Sequence, residues 1–224
     1  MNQAWAKNVV PRSYRRSVLE AIFPMVCPGC GRRGDPVCPA CAERLQPAPH
    51  APAPAGVDVW CAPFAYEGVA REVVARVKYR GARAALPWLA DAIVEVLAPV
   101  AAVDGLAAVT WAPTSRERRR RRGFDPAELL ARAVARRLGL RCAGLLERAP
   151  GPPQTGLAAA ERRHGPGYSV RRAVPSSVLL VDDVATTGAT LAAASAALRR
   201  GGARVVVATT AARTPPPRAR TRWS

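Results

Sequence analysis

The stretch "VLLVDDVATTGATL", Val178 to Leu191, constrains the fold more than any other part of the chain. Its first four residues, Val178 to Val181, are apolar and partly β-branched, the composition of a strand buried on both faces. Ala189 to Arg200 reads as an alanine-rich helix. Asp182 and Asp183 therefore stand at the carboxyl end of a strand. Thr186, Thr187, Gly188, Ala189 and Thr190 make the turn into the helix. Open parallel sheets bind ligands at such junctions.

The rest of the chain alternates in the same sense. "VDVWCAPFAY" from Val57 is strand-like, "VAREVVARVKY" from Val69 carries apolar residues at helical spacing, and Ala84 to Leu97 forms a second helix. "LAAVTWAP" from Leu106 is a buried strand, followed by "TSRERRRRRGF" as a loop. "DPAELLARAVARRLG" is a helix with Asp125 as its N-cap, Pro126 in its first position and Gly139 as its stop. "ARVVVATTA" from Ala203 supplies the last strand. This order predicts an α/β fold, a parallel sheet with right-handed crossovers and flanking helices.

Four of the six cysteines form "CPGCGRRGDPVCPAC", a pair of C-x-x-C knuckles: Cys27 and Cys30, then Cys38 and Cys41. Two such knuckles complete a closed tetrahedral site for structural Zn²⁺, with no open position for substrate. The alternative is two disulfides or redox pairs, which the lack of an export signal disfavours. Only seven residues separate the knuckles, so a small zinc ribbon that folds with its metal is expected. Cys61 and Cys142 fit neither spacing and are expected to be small buried apolar residues.

"QPAPHAPAPAG", Gln46 to Gly56, alternates proline with small residues and reads as a semi-rigid linker, with His50 a solvated passenger. The expected organisation is an N-terminal helix and zinc ribbon over 1–45, the linker over 46–56, the α/β domain over 57–213 and a disordered basic tail over 214–224. The apolar stretch "SVLEAIFPMVC" is interrupted by Glu20 and Pro24 and reads as an amphipathic helix. Neither it nor Ala84 to Pro113 is long and apolar enough to span a bilayer, so a cytoplasmic protein is expected.

Lys and Arg number 34 against 16 Asp and Glu, a formal net charge of +18, which favours phosphate-bearing partners. N–H groups of a threonine-glycine turn at a helix N-terminus make a cradle for a phosphate dianion, and the hydroxyls of Thr186, Thr187 and Thr190 add donors. Two carboxylates just before the cradle would repel that phosphate unless they face something else. A vicinal diol suits them, because a carboxylate accepts and a diol donates. A ribose 5-phosphate group satisfies both halves. The chain has no G-x-x-x-x-G-K-[ST] loop and no G-x-G-x-x-G after a strand, which disfavours a nucleoside triphosphatase.

These residues resemble the phosphoribosyl pyrophosphate (PRPP) signature of type I phosphoribosyltransferases. The chain as a whole resembles the ComF family, phosphoribosyltransferase-like proteins named for competence in DNA uptake. Further segments carry the likeness: "FPMVCPGC" and the second knuckle, "VKYRG" at Val77, "RRRGFDPAELLARAVARRLGL" from Arg120, "PQTGL" at Pro153 and "RRGGARVVVATTAAR". The resemblance implies that Asp182 and Asp183 are the catalytic pair on the ribose hydroxyls and that Ala185 to Thr190 bind the 5-phosphate. It also implies that Pro113 to Phe124, with Arg122, receive the pyrophosphate, and that Mg²⁺ is held mainly by the ligand's own oxygens. Where the family has R-G-F-N-Q, this chain has Arg122, Gly123, Phe124, Asp125 and Pro126. It keeps Gln154, Arg162 and Arg163 but lacks the asparagine that the family has before its aromatic, here Tyr168.

Arg118, Arg119, Arg120 and Arg121 support a second expectation, since a run of arginines cannot all enter one small pocket. Two functions of different classes follow. One is a Mg²⁺-dependent phosphoribosyltransferase with an unnamed acceptor. The other is a single-stranded DNA-binding accessory protein, working with DNA-uptake proteins, that keeps the fold without the chemistry.

Overall fold

The computed structural model describes residues 26–79, 83–100, 104–149 and 166–215. The expected N-terminal amphipathic helix, Arg80 and Gly81, Gln154, Arg162 to His164 and most of the basic tail lie outside these residues.

Five strands form one parallel sheet: β1 (Val59–Cys61), β2 (Phe64–Ala65), β3 (Ala108–Trp111), β6 (Ser177–Ala185) and β7 (Val205–Arg213). The order across the sheet is β1, β7, β6, β3, with β2 also on β7. The single strand expected from Val57 is thus broken into β1 and β2. Pro63 lies in the break, where a residue without an N–H cannot continue the ladder. Both pieces pair with β7, Val59 opposite Val207 and Phe64 opposite Ala212.

Strand β6 runs between β3 and β7, with Leu179 opposite both Val109 and Val207. Its side chains alternate between two cores, as strand geometry requires. Leu179 and Val181 face one core, which holds Val73 of α2 (Gly68–Tyr79), Leu89 and Ile93 of α3 (Ala85–Leu97) and Leu130 and Val134 of α5 (Pro126–Leu138). Val178 and Leu180 face the other, with Leu191, Ala194 and Leu198 of α6 (Ala189–Arg200). Helices therefore flank a mostly parallel sheet on both faces, as the sequence implies. The second core also takes in a short antiparallel hairpin that the sequence did not announce, β4 (Leu146–Arg148) and β5 (Tyr168–Val170).

The expected loop after β3 is a helix, α4 (Arg116–Arg122). Ser115 caps it by accepting the Arg118 N–H, and Gly123 ends it in the left-handed conformation at φ 77°. Its arginines carry no apolar stripe, so hydrophobic periodicity could not reveal it. Intrinsic helix preference and the two caps outweigh that lack.

The cysteine segment is built onto the sheet domain. Cys27, Cys38, Cys41 and Leu45 share the first core with Val69 and Val73 of α2, and the short helix α1 (Pro39–Ala42) carries Cys41. Gln46 to Gly56 is tied down as well: Gln46 O accepts the Ala65 N–H, Pro49 O accepts from Arg213, and Gly56 O accepts from Ser195 and Arg199. Cys61 and Cys142 are half-buried and pack against the first core. Among the described residues, no helix is long and apolar enough to cross a membrane.

Candidate functional site

A cleft of about 370 Å³ opens at the carboxyl ends of β3 and β6. Its floor is Asp182, Asp183 and Val184 at the end of β6. One wall is Pro113, Thr114 and Arg118, Arg121 and Arg122 of α4, and Arg148 and Tyr168 enter from the β4–β5 hairpin. Lys78 and Tyr79 reach in from the last turn of α2.

The carboxylates are held individually. Asp183 Oδ1 lies 3.0 Å from Lys78 Nζ, in a pair whose side chains are only 20% and 16% exposed. Asp182 Oδ1 accepts the Asp183 N–H at 2.8 Å. Burial and the neighbouring Asp183 charge push the Asp182 carboxyl well above its ordinary range, against the opposing pull of the Asp183 N–H and Lys78. Asp125 is almost wholly buried. Its Oδ2 accepts the Thr114 N–H and its Oδ1 the Ala127 N–H, so it caps α5 as expected and also anchors the loop of the cleft wall. Burial raises its carboxyl too, and the Asp183 charge adds to the effect.

The turn after β6 divides the expected phosphate residues. Thr186 and Thr190 line the cleft. Thr187 Oγ1 accepts the Ala189 N–H, at the start of α6. Gly188 is the N-cap at φ 77°, and a Cβ there would lie 3.0 Å from Pro54 Cγ, so both conformation and space select glycine. The Ala185 side chain is buried in the second core, and its carbonyl accepts the Thr214 N–H. The first N–H groups of α6 have no intrahelical acceptor, which gives this end of the cleft a positive dipole.

The arginine run is divided by helical spacing. Arg118, Arg121 and Arg122 lie three and four residues apart and line the cleft. Arg119 faces away and pairs with Glu128 at 3.5 Å, and Arg120 is exposed outside the cleft. Arg122 is stacked 4.6 Å from the Tyr79 ring centroid and donates to the Tyr79 hydroxyl at 3.0 Å. Its Nε is buried without a hydrogen-bond partner among the described residues.

Several lining residues carried no assignment from the sequence. Lys78 and Tyr79 lie in the "VKYRG" segment but received no role. Arg148 arrives on an unforeseen hairpin, and Tyr66 comes from the turn between β2 and α2. Three of the four tyrosines, Tyr66, Tyr79 and Tyr168, also meet in this one cleft, a grouping that only the fold makes visible. Tyr168 also donates to Pro113 O at 3.3 Å, joining the hairpin to the opposite wall.

The Sγ atoms of Cys27, Cys30, Cys38 and Cys41 lie within 4.8 Å of one another, Cys30 and Cys38 at 3.6 Å. The edge of a tetrahedral tetrathiolate is roughly 3.8 Å, so the donor set fits such an ion. Three of the thiols are buried and Cys30 is exposed. The Arg32 N–H, followed by the neighbouring thiols, lowers the Cys30 thiol to about 7. Burial raises Cys38 and Cys41. A Cβ on Gly29 would sit 2.8 Å from Cys41 Sγ and 3.0 Å from Val69 Cγ1, so the knuckle packs directly on α2.

No protein-family model matches the chain. No curated protein matches it. Among solved structures, it is similar to the crystal structure of orotate phosphoribosyltransferase from Aeropyrum pernix, at 19% identity and a TM-score of 0.34, over 59% of this chain and 60% of that one. The chain thus spans 60% of the length of that structure.

Proposed function

We propose that the cleft binds PRPP and that the chain is a ComF-like phosphoribosyltransferase acting on an acceptor of unassigned identity. The observation that carries this reading is the pairing of an acidic floor with cationic walls. Asp182 and Asp183 end a central strand and lead directly into the Thr186 turn at the start of α6, while Arg118, Arg121, Arg122 and Arg148 line the same cleft. Asp182 and Asp183 accept from the 2- and 3-hydroxyls of the ribose. Thr186, Thr190 and the α6 N-terminus hold the 5-phosphate. The arginines receive the pyrophosphate.

In the reaction, the bond from C1 of the ribose to the pyrophosphate oxygen breaks and its electron pair leaves with the pyrophosphate. The acceptor lone pair forms the new bond to C1, and a proton bound to the acceptor is released. Positive charge develops on the sugar and negative charge on the leaving group. Arginines fixed across the cleft favour that separation, and the acidic floor fixes the sugar.

Mg²⁺ fits as a companion of the ligand more than as an ion in a protein cage. Asp183 is engaged by Lys78, and both Asp125 oxygens accept backbone N–H groups. When bound, Mg²⁺ would neutralise pyrophosphate oxygens. The four cysteines would hold Zn²⁺ as a structural ion, outside the residues that line the cleft.

Competition tests the reading. With labelled PRPP and Mg²⁺ bound, ribose 5-phosphate and pyrophosphate should each displace it, because they fill different halves of the cleft. Failure of both to compete, or absence of PRPP binding, contradicts it. A second reading rests on the exposure of Arg116 to Arg121, a basic surface suited to a single strand of DNA in an uptake complex. It requires salt-dependent DNA binding that survives loss of the two aspartates.

A further inference from the structure

Three carboxyl groups line one cleft: Asp125 at the N-cap of α5, and Asp182 and Asp183 at the end of β6. Among the described residues, the ion pair between Lys78 and Asp183 is the one salt bridge that reaches any of them. Both partners are largely shielded from solvent, which separates this contact from the exposed pairs such as Arg116 with Glu147. The same ammonium lies 6.0 Å from the Tyr66 ring centroid. The next residue, Tyr79, is held by Arg122 of the facing wall. The last turn of α2 thus bridges the acidic floor and the basic wall.

We propose that Lys78 is a positioning residue for the sugar site: by holding Asp183, whose N–H is in turn accepted by Asp182, it fixes the acidic floor as an acceptor for a vicinal diol. This rests on the PRPP reading for its ligand but not for its physical basis. Protonation at Asp182 would convert one of its acceptor oxygens into an O–H donor, so a resident cation beside the pair preserves its full acceptor capacity. Burial, Asp183 and Asp125 favour that protonation, and the Asp183 N–H and Lys78 oppose it. The other ionisable groups lining the cleft are Tyr66, Tyr79 of α2, Arg148 of β4, Tyr168 of β5 and the three cleft-lining arginines of α4. They stand on the walls of the cleft, and their charges add to the background that the pair experiences.

The test uses the full zinc-loaded chain with ¹³C-labelled aspartate carboxyls, comparing wild type with Lys78→Met, Lys78→Gln and Lys78→Arg. The ligand-free titration of Asp182 should move upward by about one pH unit or more in Lys78→Met and Lys78→Gln, and return in Lys78→Arg. PRPP affinity should then fall more at the acid end of a pH series, where the variant's Asp182 is protonated, than at the alkaline end, where it is not. An unmoved Asp182 titration overturns the proposal. So does a loss of affinity equal at all pH values, which would make Lys78 a direct phosphate contact. If the wild type binds no PRPP, the proposed function fails, while the ligand-free titration still decides the role of Lys78. Lys78→Gln and Lys78→Arg keep the test open if Lys78→Met does not fold.

Discussion

Asp125 Oδ2 accepts the backbone N–H of Thr114 at 2.8 Å, joining the start of α5 to the loop that forms one wall of the cleft. The other oxygen caps the helix. Asp125→Ala removes both acceptors and should lower stability by about 1–3 kcal/mol in chemical denaturation. Asp125→Asn retains one acceptor and should fall between. Equal stability of all three proteins would show that the buried contacts contribute nothing.

Asp182 links stability to pH with a definite sign. Burial first, then the Asp183 charge, raise its folded-state pKa above the unfolded value. Between those two values the folded protein binds more protons than the unfolded chain, so this contribution favours folding in acid and is lost as pH rises through the folded value. Asp182→Asn keeps an acceptor for the Asp183 N–H and removes the charge. It should gain on the order of 1 kcal/mol over wild type near neutral pH, with the gain shrinking towards the ordinary carboxylate range. Denaturation at several pH values measures the difference directly.

The division of the arginine run predicts a division of phenotype. Replacing Arg118 and Arg121 with Gln should weaken PRPP binding by about tenfold or more, the scale of a lost charge-assisted hydrogen bond. Replacing Arg119 and Arg120 should leave it within about threefold, since a screened surface charge contributes less than about 1 kcal/mol. The same four substitutions should reduce the salt slope of single-stranded DNA binding together if that second reading holds. Filter binding over a salt series reads both.

Metal removal should be felt in the sheet domain. Cys27, Cys38 and Cys41 share a core with Val69 and Val73 of α2, so losing the ion loosens the helix that carries Lys78. One zinc per chain is expected from elemental analysis. Cys41→Ser should lower both zinc content and melting temperature, and should weaken hydrogen-exchange protection in α2. Unchanged α2 protection would show that the module folds independently.

Much of this architecture was legible in the sequence because its signals are local. The apolar run before Asp182, the Asp125–Pro126 start of α5 and the alanine-rich α6 each declare themselves within a dozen residues. The knuckle spacing did the same for the cysteine cluster. Helix α4 escaped notice because its residues are nearly all arginine and have no apolar period, although Ser115 and Gly123 marked both ends. The β4–β5 hairpin has strands of three residues, too short for alternation to register. Lys78, Arg148 and Tyr168 became site residues only when tertiary packing brought three separate elements to one cleft. No local pattern encodes that juxtaposition.

The most direct test of the central claim is calorimetric titration of the zinc-loaded protein with PRPP and Mg²⁺, alongside Asp182→Asn combined with Asp183→Asn. Saturable, Mg²⁺-dependent binding by wild type that is lost in the folded double variant is the predicted result. Equal binding by both proteins, or none by the wild type, contradicts the assignment of the acidic floor to a phosphoribosyl ligand.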